Sequence, residues 1–249
     1  MRPIEKKNVG DVVNLFDNID GMKTIPHIVQ EDYPEYGKAR KVLLANLGNY
    51  CSYCECYLAN GALLQTEHVQ PKGLDKYKTL KTKWENFLLA CATCNGKGNK
   101  GEKDVVLPEI HLPHINNTYK SLCYQPAGVV IANPKLNNDA KQHAEALITL
   151  IGLDKPDSET DFRCNVRRQT WDRAQLYLKQ YEAGEYELDK MIDDIKERNC
   201  WSMWFTVFKG HDEVRKALID EFPGTAAQCF DANNHYEPID RNPGHVDPT

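Results

Sequence analysis

The sequence predicts an α+β fold: a mixed module over residues 33–135 cross-braced by cysteines, then a helical domain over 136–222. An N-terminal segment, 1–32, precedes them, and a polar, acidic tail, 223–249, follows. Three observations carry this reading. Two Cys-x2-Cys knuckles, Cys51/Cys54 and Cys91/Cys94, stand 36 residues apart. Short strand-like runs lie between and after them, separated by Gly, Asn and Pro. From Asn138 onward the apolar positions recur at helical spacing instead.

Residues 1–32 show little periodicity and end at Pro26 and the acidic pair Glu31-Asp32. A helix is expected from Pro34 to Leu47, with Pro34 near its first turn, Val42, Leu43, Leu44 and Leu47 on the apolar side, and Gly48 as the stop. Residues 51–70 hold two strand-like stretches around Asn60-Gly61, a hairpin signal. A lysine-rich connection leads to the apolar run Trp84 to Ala90 and the second knuckle. Pro108, Pro113, Pro126 and Pro134 then punctuate a loop-and-strand region whose best strand is Gly128 to Ala132. Ala144, Leu147, Ile148 and Ile151 mark a helix capped by Gly152, and a second helix is expected from Asp161 to Glu182. A third places Leu188, Ile192 and Ile195 on one face, ahead of Trp201, Trp204, Phe205 and Phe208, an aromatic stripe that reads as core. A last helix runs from Asp212 to Glu221, and the proline-bearing tail reads as extended or disordered at its end.

With 249 residues and 41% hydrophobic side chains, the chain can fill a core. Mean hydropathy is −0.61, and the longest apolar stretch, Leu147 to Leu153, is broken by a threonine and a glycine, so no segment is expected to span a membrane. The opening MRPIEKKNVGDVV lacks the apolar core of a secretory signal, and a reducing cytoplasm is the expected location. There, paired cysteines are metal ligands or catalytic groups before they are disulfides. The formal charge of −5 argues against a protein that coats nucleic acid non-specifically, but the charge is uneven. From His68 to Lys103 eight lysines face three acids, which reads either as a phosphate-facing patch or as a solvated surface. From His211 onward eight acids face three bases.

Each knuckle offers two thiolates from one tight turn, and two such turns together supply the four sulfurs of a closed, structural Zn²⁺ site. Cys56 is an alternative to Cys54 as ligand, although the x2 spacing fits the turn better. Cys123, Cys164, Cys200 and Cys229 are isolated and read as packing residues. Between the knuckles stands Glu67-His68-Val69-Gln70-Pro71-Lys72; Asn86 precedes Cys91 by five residues and Asn95 follows Cys94 directly. Histidines 27, 111, 114, 143, 211, 235 and 245 lack such neighbours and read as ordinary surface or core residues.

Over residues 48–103 this combination resembles the HNH, or ββα-metal, endonuclease family: a knuckle, an acid-His-x-x-Pro strand, an Asn before an apolar run, and a second knuckle followed by His or Asn and lysine. The resemblance implies a zinc-stapled ββα-metal module that hydrolyses DNA phosphodiester bonds. It implies that His68 is the general base, Glu67 and Asn95 are ligands of a catalytic Mg²⁺ or Mn²⁺, and Asn86 braces the loop. Lys72, Lys97 and Lys100 are the candidate phosphate contacts, the alternative for Lys97 and Lys100 being solvated loop charges. The acid is Glu where Asp is common, and the final position is Asn, an H-N-N variant. The chemistry is intelligible without the name. Hydrolysis needs a water deprotonated near neutral pH, which a neutral imidazole can do, and oxygen ligands suit Mg²⁺ or Mn²⁺. Adjacent residues of a regular strand point to opposite faces, so Glu67 and His68 can share a site only if the strand is distorted or ends there.

The opening MRPIEKK, the Trp84 to Cys91 run, the helix around Ala144 to Asp154 and the arginines 163, 167 and 168 are also similar to HNH subunits of Septu-type and retron-associated antiphage defence systems. That resemblance implies an effector nuclease gated by an ABC-type ATPase partner. The helical domain, with its amphipathic helices and arginine cluster, is expected to dock such a partner, the alternative being that the arginines grip DNA, and the acidic tail is free to meet the partner or the basic nuclease face. The competing readings are a non-catalytic zinc-knuckle module that binds nucleic acid or protein, and a solitary HNH restriction endonuclease.

Overall fold

The computed structural model describes residues 1–17, 23–59, 61 and 63–241. The helix expected after Pro34 forms as α1, Tyr36–Leu47, buries Ala39, Val42, Leu43 and Leu47, and stops at Gly48, whose N–H donates to the Leu44 carbonyl. The N-terminal segment contributes to the fold more than its weak periodicity predicts. Strands β1, Val12–Asp17, and β2, Lys23–Ile28, form an antiparallel ribbon against α1, and Met1, Arg2 and Ile4 are buried. The Arg2 guanidinium donates to the carbonyls of Leu47 and Pro223, joining the two ends of the described chain.

The described segments flanking the hairpin signal at Asn60-Gly61 do not pair with each other. Asn60 lies outside the described residues, but the partners of the flanking segments are elsewhere: Tyr50 bridges to Tyr57 across the first knuckle, and β3, Gln65–His68, pairs antiparallel with β4, Phe87–Ala90. Every side chain of β4 is buried, so this long-range pairing buries apolar surface on both faces of β4, more than a local hairpin offers. A single helical turn, α2, Ala92–Asn95, follows β4 through the second knuckle. Next come the short α3, Thr118–Ser121, and the antiparallel pair β5, Leu122–Tyr124, and β6, Val130–Ala132.

The helical switch at Asn138 is as expected: α4, Asn138–Ile151; α5, Arg163–Glu182; α6, Leu188–Lys196; α7, Trp201–Val207; α8, Asp212–Asp220. Trp201, Trp204, Phe205 and Phe208 are all buried, with Trp201 stacked on Phe205 at 4.6 Å between ring centroids. One apolar core lies under α1, β3, β4 and α4, the other among α5 to α8, and Tyr119 and Trp171 pack against both.

The proposed tail is folded as far as Arg241. Strands β7, Phe230–Asp231, and β8, Glu237–Pro238, pair, Phe230 packs on Phe205, and the Asn117 amide donates to the carbonyls of Cys229 and Ile239. Its acids are used locally: Glu237 pairs with Arg215 and Lys209, and Asp240 with Lys120. Residues 242–249 lie outside the described residues. No helix among the described residues is long and apolar enough to cross a membrane.

Candidate functional site

The Sγ atoms of Cys51, Cys54, Cys91 and Cys94 lie within 4.8 Å of one another, all four residues being buried. Cys54 and Cys91 approach to 3.7 Å, close to the separation of about 3.8 Å that a tetrahedral ion with 2.3 Å metal–sulfur bonds imposes. Such a spacing is far beyond a disulfide, and the cysteines are free. This donor set could hold a metal ion such as zinc. Cys56 is not one of the four mutually close sulfurs, although it neighbours Cys54; its thiol donates to the Tyr57 carbonyl, and Cys54 is the residue in the cluster. The thiol contacts from Cys51, Cys54 and Cys94 hold Cys91 well below the usual thiol range, while burial pushes Cys51 and Cys94 up.

Two side chains tie this cluster to the helical region. Arg163, at the start of α5, donates from Nη1 to Cys94 Sγ at 3.3 Å and also to the carbonyls of Ile151 and Gly152. Glu55, inside the first knuckle, accepts from the Ser202 backbone N–H and hydroxyl at the start of α7. Two of the three arginines expected to form a docking face therefore point inward. Arg167 is buried too, donating to the carbonyls of Gly128 and Leu153, and Arg168 alone of the three is exposed. Their common origin in one helix hides opposite environments, because α5 lays one face against the loop around Gly128.

A second constellation sits beside the sulfurs. A cavity of about 250 Å³ is lined by Thr66, Glu67, His68, Pro71, Lys72, Asn95, Lys97, Gly101 and Glu102. Glu67 and His68 share it because His68 is the last residue of β3, where the strand gives way to a bend. The His68 ring is held edge-on by Tyr36 and Phe87, with centroids at 4.9 and 5.0 Å. Its Nε2 lies 2.9 Å from the Lys81 carbonyl, which can only accept, so Nε2 carries a proton and Nδ1 is the atom able to take one. Burial lowers the His68 pKa below its usual value and favours the neutral ring.

Asn86 is buried and spans the loop behind His68: its Oδ1 accepts from Gln70 N–H at 2.8 Å and its Nδ2 donates to the Gln70 carbonyl at 2.9 Å. Asn95 is half-buried and donates to Gln65 Oε1. Lys72 and Lys97 are exposed at the rim, Lys72 with its ammonium 4.5 Å from the Tyr36 ring centroid. Lys100 departs from the sequence expectation. It is buried, its ammonium 2.8 Å from Glu67 Oε1 and withdrawn from the surface. Burial pushes Glu67 up, the Lys100 charge opposes this, and the outcome is a pKa of about 7. Lys76, Lys78 and Lys83 are likewise committed to ion pairs, so much of the basic run is internally neutralised.

The pocket fits a hard cation by its donors: the carboxylates of Glu67 and Glu102, the Asn95 amide and the Thr66 hydroxyl are all oxygen groups. Behind it the Tyr53 hydroxyl is buried without a hydrogen-bond partner, and burial, then the charge of Glu67, raises its pKa. Tyr36, Glu102 and Arg163 were not legible as site residues. Tyr36 reaches the site from α1, outside the motif, and neither Glu102 nor Arg163 sits at a spacing that marks a ligand. The chain matches no protein family pattern and no curated protein.

Proposed function

We propose that the chain is a metal-dependent HNH-type endonuclease that hydrolyses DNA phosphodiester bonds on a zinc-stapled module. The observation that supports it most is the convergence of Glu67, His68, Lys72, Asn95 and Lys97 on one cavity, with the imidazole oriented through Nε2. The four cysteines would hold a structural zinc, which would fix β4 and α2, and with them Asn95. His68 Nδ1 takes the proton of a water that attacks phosphorus, the bond to the 3′ oxygen breaks, and Lys72 and Lys97 hold the flanking phosphates. Glu67 and Asn95 would hold Mg²⁺ or Mn²⁺, which would supply neutralisation of the charge that gathers on the phosphate and the departing oxygen. Asn86 acts on His68 only by fixing the loop behind it.

A second reading has a specific observation in its favour: the Glu67–Lys100 pair is also what a purely structural buried ion pair looks like. In that reading the chain is a zinc-knuckle module that binds nucleic acid or protein without cleaving. Nicking of supercoiled plasmid in Mg²⁺ or Mn²⁺ separates the two. Cleavage by the wild type that His68→Ala abolishes supports the nuclease; no cleavage under any divalent ion, with DNA still bound, supports the module. A role in antiphage defence with an ABC-type ATPase extends the same proposal, and co-purification from the native operon tests it. Such a partner must dock elsewhere than on Arg163 and Arg167, which are committed to the interior.

A further inference from the structure

We propose that Lys100 is a built-in competitor for the cation pocket: its ammonium neutralises Glu67 in the cation-free protein, and a divalent ion enters only by taking Glu67 from it. The inference rests on the nuclease reading for the purpose of the pocket. The competition itself follows from the geometry.

The side chains of Lys100 and Glu67 are 1% and 3% exposed, and their charges meet at 2.8 Å. A carboxylate so enclosed needs a counter-charge, and Lys100 provides one without a metal. A divalent ion at the same carboxylate would face that ammonium at contact distance with little water between to screen it, so the two cations exclude each other.

Lys100 cannot retreat by moving its backbone. Its N–H donates to the Cys94 carbonyl, Asn99 Nδ2 donates to the Thr93 carbonyl, and Lys155, in the loop after α4, donates to the Gly98 carbonyl and Asn99 Oδ1. Gly152, in the left-handed region at φ +65°, lets α4 approach so closely that a Cβ there would stand 2.4 Å from Asn99 Oδ1. Displacement is therefore a side-chain rotation about a fixed Cα. Glu102, exposed two residues on and lining the same cavity, offers the ammonium a new partner at the rim. The exchange would move one positive charge from the floor of the pocket to its mouth, where a phosphate arrives. It would also select for charge density, since a monovalent ion gains no advantage over the ammonium it must expel.

The test measures Mn²⁺ binding by electron paramagnetic resonance at pH 8 on zinc-loaded wild type, Lys100→Met and Lys100→Arg, with zinc content and circular dichroism confirming the fold. Lys100→Met is expected to tighten Mn²⁺ binding by about tenfold or more, while Lys100→Arg, which keeps the charge, stays near wild type. In parallel, amine acetylation of the wild type is mapped by mass spectrometry. Lys100 should be protected without divalent ion and become labelled as Mn²⁺ saturates, a readout that stands even if Lys100→Met fails to fold. Unchanged or weaker Mn²⁺ binding in a folded Lys100→Met protein, or a Lys100 still protected at saturating Mn²⁺, overturns the proposal. Tightened Mn²⁺ binding without plasmid cleavage would sink the nuclease reading alone; His68-dependent cleavage with unchanged Mn²⁺ binding would sink the competitor alone.

Discussion

The four-sulfur cluster and the oxygen-lined pocket are built on the same pair of strands and the same helical turn, yet they are finished to opposite degrees. The sulfurs are enclosed, equidistant enough for one ion, and tied to the helical region by Arg163 and, through Glu55, by α7. The pocket is open, with exposed Lys72, Lys97 and Glu102 at its rim and its one buried acid already paired. A closed set of soft ligands leaves no coordination position for chemistry and contributes to folding; an open set of oxygens contributes little to folding and leaves room for substrate. On the proposed reading, stability belongs to one place and reactivity to the other, and each assignment can be broken separately.

The largest effect belongs to the sulfurs. Cys91→Ser removes one ligand and the cap of α2, whose Cys94 N–H donates to the Cys91 sulfur. Metal binding at such sites is worth on the order of 10 kcal/mol, so the variant should lose its zinc and melt at least about 10 °C lower. Elemental analysis of the wild type purified without chelator checks the premise. Less than about half a zinc per chain would show that the cluster is not a zinc site. His68→Ala should do the reverse: plasmid nicking falls by about 10² to 10⁴-fold while zinc content and DNA affinity stay at wild type. A wild-type rate would place the base elsewhere.

How much of this was legible differs between the same two places. The cysteine pairs announce themselves because each knuckle is a local turn with fixed spacing, and the choice of Cys54 over Cys56 follows from that turn. The helices were legible by periodicity, down to the glycine that ends α4. What sequence could not supply was anything set by long-range packing. The β3 strand ignores the Asn60-Gly61 signal and pairs with Phe87–Ala90 because those four residues bury on every side. Lys97 and Lys100 look alike in a run of Gly, Asn and Lys, and only the knuckle's fold turns one to solvent and the other onto Glu67. The arginines of α5 looked like a surface because guanidinium groups usually are one, whereas Arg163 and Arg167 satisfy carbonyls at the seam with the helical region. The N-terminal segment showed little periodicity and the tail read as extended or disordered at its end, since ribbons and single buried residues leave no repeat to read.

Arg163 offers a sharper cut between the two places, because it touches the sulfurs and not the pocket. Arg163→Met keeps much of the apolar stem but removes the donor to Cys94 and to two helix-end carbonyls. Partners of this kind tune metal affinity by about 10 to 100-fold, so zinc should pass more readily to a competing chelator, with a smaller loss than Cys91→Ser causes. Mn²⁺ binding at the pocket should stay as in the wild type. Mn²⁺ affinity falling in step with zinc would mean that the two places are one coupled unit.

The smallest effect separates lysines within the pocket's own basic run. Lys72 and Lys97 are exposed at the rim, whereas Lys76 and Lys83 are held by Asp104 and by Glu31 with Asp32. A lysine that neutralises one phosphate releases about one counterion, so its removal lowers the slope of log affinity against log salt by about 0.9. In a His68→Ala background, where duplex DNA survives the measurement, Lys72→Ala and Lys97→Ala should each lower that slope by about one and weaken binding uniformly across sequences. Lys76→Ala and Lys83→Ala should leave the slope alone, because each ammonium already has a protein counter-ion and brings no net charge to the DNA. The contrast within one run is what makes the experiment decisive. Equal slopes for all four variants would mean that the nucleic acid reads the average charge of the module, and the rim lysines would lose their assigned role.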